Sequence, residues 1–122
     1  MTFRIACTAA AVLLAGLFVI MLVSAQSYAG RYGVFSGVGG DFLGRRASPA
    51  FLGLAMLLWL LRDHGDVQVQ RAVCYSAIAV FGGIAVTGFW AYFDGTASGR
   101  VAVIALLDAA AAAVFYWLCP KT

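Results

Sequence analysis

The groups able to do chemistry are few, and one of them sits where charge is expensive. Asp108 lies inside the apolar run 101–118, flanked by Leu106-Leu107 on one side and by alanines on the other. If that run crosses a bilayer, a carboxylate near its middle costs on the order of 3 kcal/mol on insertion scales, so it must face inward and find a partner. Arg45 and Arg46 are the expected partners, because long guanidinium side chains entering from the same membrane side can approach a group about 12 Å below it. The alternative is a protonated Asp108 hydrogen-bonded to a hydroxyl such as Thr87 or Tyr75. A buried acid of this kind serves either the structure or the binding and transport of a ligand.

The other candidates offer less. His64 is the single histidine and falls in the charged stretch 62–71, RDHGDVQVQR. No apolar run contains an imidazole for haem or chlorophyll, and a solvated turn residue is expected. Cys7, Cys74 and Cys119 are odd in number and form no CxxC pair, which argues against a disulfide framework or a thiol oxidoreductase. Their spacing with His64 matches no zinc pattern, so no metal or cofactor is expected and the thiols act as small apolar residues. The glycine-rich stretch 26–46 lacks the G-x-x-x-x-G-K-[ST] phosphate cradle. Nor is there a nucleophile–base–orienter set, so the chain is expected not to be an enzyme.

The elements that must position these groups follow from composition. Of 122 residues, 64% are hydrophobic and only 11% charged, against about a quarter charged in soluble domains. The natural solvent of most of this surface is lipid. The net charge of +3 comes from Lys and Arg scattered at the ends of apolar runs rather than clustered on a face, so nucleic acid is not an expected partner.

The expected fold is all-α, one integral membrane domain over residues 1–122. It is a four-transmembrane-helix bundle with helices at about 3–23, 47–62, 72–92 and 101–118. A run of about 20 apolar residues rises about 30 Å, enough to span. The first run also resembles a signal peptide with Val23-Ser24-Ala25 at its cleavage site, but it exceeds the usual apolar length of such signals, and a retained helix is expected. Ser48-Pro49 reads as an N-cap with proline at the first helical position. From Pro49 to Leu61 the run has only 13 residues, too short to cross, so either the helix starts earlier, near Asp41, with Pro49 inside it, or the bilayer thins there. Between the first and second helices a long connection rich in glycine and aromatics is expected, lying on the membrane surface, with Tyr28, Tyr32, Phe35 and Phe42 forming a docking loop. The stretches 62–71 and 94–99 (DGTASG) read as turns, and the runs Phe89-Trp90-Ala91-Tyr92-Phe93 and Phe115-Tyr116-Trp117 as aromatic belts.

Helices in lipid associate through small residues. Ser76, Ala79, Gly83 and Thr87 form one such stripe, Ala105, Ala109 and Ala113 a second, and Cys7, Ala11 and Ala15 a third; bundle contacts are their expected role. Four spans place both termini on one side, with Arg4, Arg62, Arg71 and Lys121, against Arg31, Arg45, Arg46 and Arg100 on the other. The tie of four against four becomes four against two if Arg45 and Arg46 belong to the second helix, which favours cytoplasmic termini. A bacterial inner membrane is the expected location.

Small multidrug-resistance exporters have a similar length but use an acid in the first helix, and residues 3–23 contain none. The layout resembles the DoxX-like four-helix membrane proteins instead: a long first connection, Arg45-Arg46 ahead of a second helix containing Gly53, a third helix with Gly82-Gly83 and Gly88, an Asp94-Gly95 turn, and Asp108 in the last helix. That resemblance implies a fold and hardly a function, since the group is heterogeneous. The expected role is a small non-catalytic accessory or structural subunit, with the lipid bilayer and other integral membrane subunits, or its own copies, as partners. The alternative is a small oligomeric transporter or ligand-binding membrane protein that uses Asp108.

Overall fold

The computed structural model describes residues 2–35 and 37–120; Lys121, counted in the charge balance above, lies outside the described residues. Four helices follow one another: α1 (Phe3–Gly30), α2 (Gly37–Leu61), α3 (Val67–Phe93) and α4 (Gly99–Leu118). They run up and down in turn. Arg4 at the start of α1 pairs with Asp63 in the α2–α3 turn at 3.2 Å, and at the opposite end the Ser98 N–H ahead of α4 donates to the Tyr32 carbonyl after α1 at 2.7 Å. α1, α3 and α4 are long and apolar enough to cross a membrane. α2 is of similar length but carries Asp41, Arg45 and Arg46 in its first half.

Local chemistry explains most helix ends. The Thr2 hydroxyl accepts from the Ile5 N–H at the start of α1, and Asp66 caps α3 by accepting from the Gln68 N–H at 2.8 Å, satisfying donors that have no intrahelical partner. After α3, the Asp94 carboxylate accepts from the Thr96 hydroxyl and backbone N–H, which hold its carboxyl below the usual carboxylate range. Gly95 supplies the positive φ (83°) that completes this turn.

The first two helices differ from their expected bounds. Rather than a long loop from 26 to 46, the connection between them is only residues 31–36, because α1 runs on to Gly30 and α2 starts at Gly37. The helix expected over 47–62 thus begins ten residues earlier, with Pro49 inside it. Ser48 is no N-cap. Pro49 has no N–H for the Arg45 carbonyl four residues back, and the fully buried Ser48 hydroxyl donates to that carbonyl instead, at 2.9 Å. The third helix likewise starts at Val67, five residues before the expected 72, because Asp66 caps it.

Glycine lowers helix stability by about 1 kcal/mol relative to alanine, yet Gly44 has a positive reason to be there. A Cβ added to it would fall 2.3 Å from the Cβ of Ala25 and 3.3 Å from the Met21 carbonyl oxygen. α1 and α2 therefore meet backbone to backbone at this point. Gly88 plays the same part between α3 and α4, where an added Cβ would stand 3.1 Å from that of Ala105.

The four helices thus form two hairpins, α1–α2 and α3–α4, tight within themselves and touching each other sparsely along their backbones. What joins them is a core near the termini. Cys7, Ala10 and Leu14 of α1 meet Ala55 and Leu58 of α2, Cys74 and Phe81 of α3, Phe115 of α4, and Cys119 just after it. The rings of Phe81 and Phe115 stack at 6.3 Å. Toward the other end this core stops. The buried residues there, Ala25, Gly44 and Ser48 in one hairpin and Ala85 and Ala105 in the other, lie outside the continuous cluster.

Gly44→Ala is expected to lower stability by about 1–3 kcal/mol through overpacking. Gly53→Ala, whose Cβ meets nothing within 4 Å, should be neutral or slightly stabilising. Detergent-titrated unfolding followed by circular dichroism compares the two; equal midpoints would show that α1 and α2 do not close on each other at Gly44.

Candidate functional site

Asp108 is placed in the middle of α4 by its neighbours. Leu106 and Leu107 are 60% and 62% exposed while Ala105 is 1% exposed, so the face that Ala105 shares with the half-buried Asp108 turns toward α3 and α1. The gap between hairpins leaves a cavity of about 220 Å³ in front of it, walled by Tyr28 and Tyr32 on one side and by Ile84, Thr87, Gly88, Ala91, Val101 and Ile104 on the other. The tyrosine rings pack edge to face at 5.3 Å.

The arginine partners expected for Asp108 are elsewhere. Among the described residues the ion pairs are Arg4–Asp63 and Arg62–Asp63, both at the termini end. The Arg45 Nε–H donates to the Leu22 carbonyl at 3.2 Å, and Arg46 is exposed. The reason is rotational: Gly44 faces α1, which directs the adjacent Arg45 to the α1 backbone rather than across to α4. Thr87 shares the cavity, but its hydroxyl donates to the Gly83 and Ile84 carbonyls of its own helix, and Tyr75 is 58% exposed. Asp108 itself has no hydrogen bond or ion pair among the described residues.

The docking-loop residues separate. Tyr28 belongs to α1 and Phe42 to α2; only Tyr32 and Phe35 lie in the connection. Tyr28 and Tyr32 are half-buried in the cavity wall, whereas Phe35 and Phe42 point outward, 88% and 62% exposed. The small stripes separate too. Ala105 is buried against Gly88, Ala109 is half-buried and Ala113 exposed, while Ser76, Ala79, Gly83 and Thr87 are all exposed on α3. Cys7, Cys74 and Cys119 are buried free thiols of the core, and His64 is an exposed turn residue whose Nδ1 accepts from the Asp66 N–H.

A further feature was not read from the sequence. α1 is broken at Ser24, whose backbone is extended (φ −161°, ψ 93°) between two helical stretches. The Ser24 hydroxyl oxygen accepts from the Ser27 N–H at 3.3 Å, acting as an N-cap for the second stretch, and the Asp41 carboxylate of α2 accepts from the Gln26 N–H at 2.8 Å. The available signal was small: a serine in an otherwise apolar run, and an acid and a base four residues apart in α2.

Comparison of this chain with protein-family models, with characterised proteins and with solved structures finds no match.

Asp108→Leu is expected to stabilise the protein by about 1–3 kcal/mol, because it removes a polar group that has no partner in an apolar setting. Unfolding in mixed detergent micelles measures this. A loss of stability would mean that Asp108 holds the fold together through a contact of its own.

Proposed function

We propose that this chain is a small, non-catalytic integral membrane protein whose four helices all cross the bilayer and whose cavity binds a small organic cation, with Asp108 as counter-charge. One observation carries the reading: an inward-facing carboxyl group near mid-span, without a protein partner, in a cavity that two tyrosines help to wall. A group so placed is unfavourable for folding alone, and intramembrane acids as a class mark ion or substrate sites. Tyrosine faces attract cations, and a desolvated pair of this type is worth about 2 kcal/mol. Orientation follows from charge. With Arg45 and Arg46 well inside α2, that end retains Arg31 in the connection and Arg100 in the first turn of α4, while Arg4, Arg62 and Arg71 lie at or near the helix ends on the termini side, which supports cytoplasmic termini.

The test uses the protein in lipid nanodiscs and benzylammonium as probe, followed by calorimetry. Wild type should bind it, and Asp108→Asn should bind about 10–100-fold more weakly, the loss of a charge-assisted contact. Equal affinities for the two proteins, or no binding at millimolar probe, would remove the reading.

A second reading, an accessory subunit of a larger membrane assembly, is favoured by the exposed stripe Ser76, Ala79 and Gly83, which leaves α3 open to close approach by a helix from another chain. Purification in a mild detergent distinguishes it. Co-migration with a large complex that is lost in Gly83→Leu supports a docking stripe; a particle of unchanged small size in both proteins excludes it.

A further inference from the structure

The break in α1 exposes backbone groups of both signs, and α2 answers each with the opposite charge. On the near side of Ser24 the Leu22 carbonyl accepts from the Arg45 guanidinium; on the far side the Gln26 N–H donates to the Asp41 carboxylate. Asp41 and Arg45 are four residues apart and so share a face of α2. Gly44 beside them lets that face reach the α1 backbone. The two charges do not pair with each other; they hold the two ends of a split helix.

What lies beyond the break is short and has room on both sides. Residues 25–30 carry Tyr28, and Tyr32 follows in the connection. On one side of Tyr28 is the cavity of about 220 Å³ that holds Asp108; on the other is a crevice of about 300 Å³ against Met21, Gly40, Leu43 and Ala47. Among the described residues, the tip of the segment is tied to the α3–α4 turn by a backbone bond from the Ser98 N–H to the Tyr32 carbonyl. A continuous helix could not swing between these spaces without breaking its own hydrogen bonds. A helix already open at Ser24 can pivot there by exchanging its side-chain caps while Ala25, packed on Gly44, stays as the fulcrum.

We infer that residues 25–32 form a flap hinged at Ser24, that the Asp41 carboxylate on the Gln26 N–H is its latch while Arg45 holds the fixed end at Leu22, and that its position governs passage into the Asp108 cavity. The hinge and latch stand on the break at Ser24 and its hydrogen bonds to α2; the governed passage rests on the cavity being a binding site, as proposed above.

Hydrogen–deuterium exchange on the full chain in nanodiscs tests the latch, with Asp41→Ala and Asp41→Asn compared with wild type. Loss of one charge-assisted hydrogen bond should speed exchange of the amides at 25–30 about tenfold in Asp41→Ala. Asp41→Asn, which keeps an acceptor oxygen, should fall between, and residues 5–20 should not change. With benzylammonium, association and dissociation should both accelerate in Asp41→Ala, since a looser flap opens the passage in both directions. Unchanged protection at 25–30 overturns the latch, and so does a uniform loss of protection along the chain, which would make Asp41 a residue of the fold as a whole. Faster exchange at 25–30 with unaltered binding rates overturns the governed passage. If the local acceleration appears but wild type binds no probe, the latch stands and the cation-binding reading falls.

Discussion

Backbone N–H and C=O groups removed from water must be hydrogen-bonded, and in hydrocarbon each one left over costs several kcal/mol. This chain interrupts its helical ladder twice in one hairpin, at Ser24 in α1 and at Pro49 in α2. Every repair named above is a polar side chain at or near the gap: Ser24 and Asp41 for the donors, Arg45 and Ser48 for the carbonyls. Arg45 takes part twice, its side chain closing the gap in α1 while its own carbonyl is the one that Pro49 leaves open. The unusual density of polar residues in the first half of α2 thus has a structural cause before it has a functional one.

Close approach is the second condition. Those side chains reach the α1 backbone because Gly44 has no Cβ to hold the helices apart, and Gly88 brings α3 onto α4 in the same way. The two hairpins, by contrast, approach each other only sparsely along their backbones. They share a core of small residues and stacked rings near the termini. The space left at the other end is the cavity in front of Asp108. The site is in this sense a by-product of where the glycines and the large side chains fall.

Polar residues in an apolar chain can therefore be sorted by whether they have work in the fold. Asp41, Arg45 and Ser48 satisfy backbone groups, Asp66 and Asp94 hold turns, and Asp63 pairs with Arg4. Asp108 has no such task among the described residues. That remainder is what the cation-binding proposal rests on, since an intramembrane acid without a partner among the described residues carries an insertion penalty.

Length and period of apolar runs are local properties, set by how many consecutive residues avoid water, and they made four helices and the Asp94-Gly95 turn legible from the sequence, while half of the turn expected over 62–71 belongs to α3. The inward direction of Asp108 was legible for the same reason, from two leucines beside it. The ends of α1 and α2 were not. A glycine-rich stretch reads as a loop unless a neighbouring backbone needs the missing Cβ, and only the packed pair Ala25–Gly44 shows that it does. The pairing of polar groups was not legible either: Arg45 was a plausible match for Asp108 by depth, yet its direction depends on the rotation of α2 about its axis. That rotation is decided by contact between helices, a property that no single segment carries.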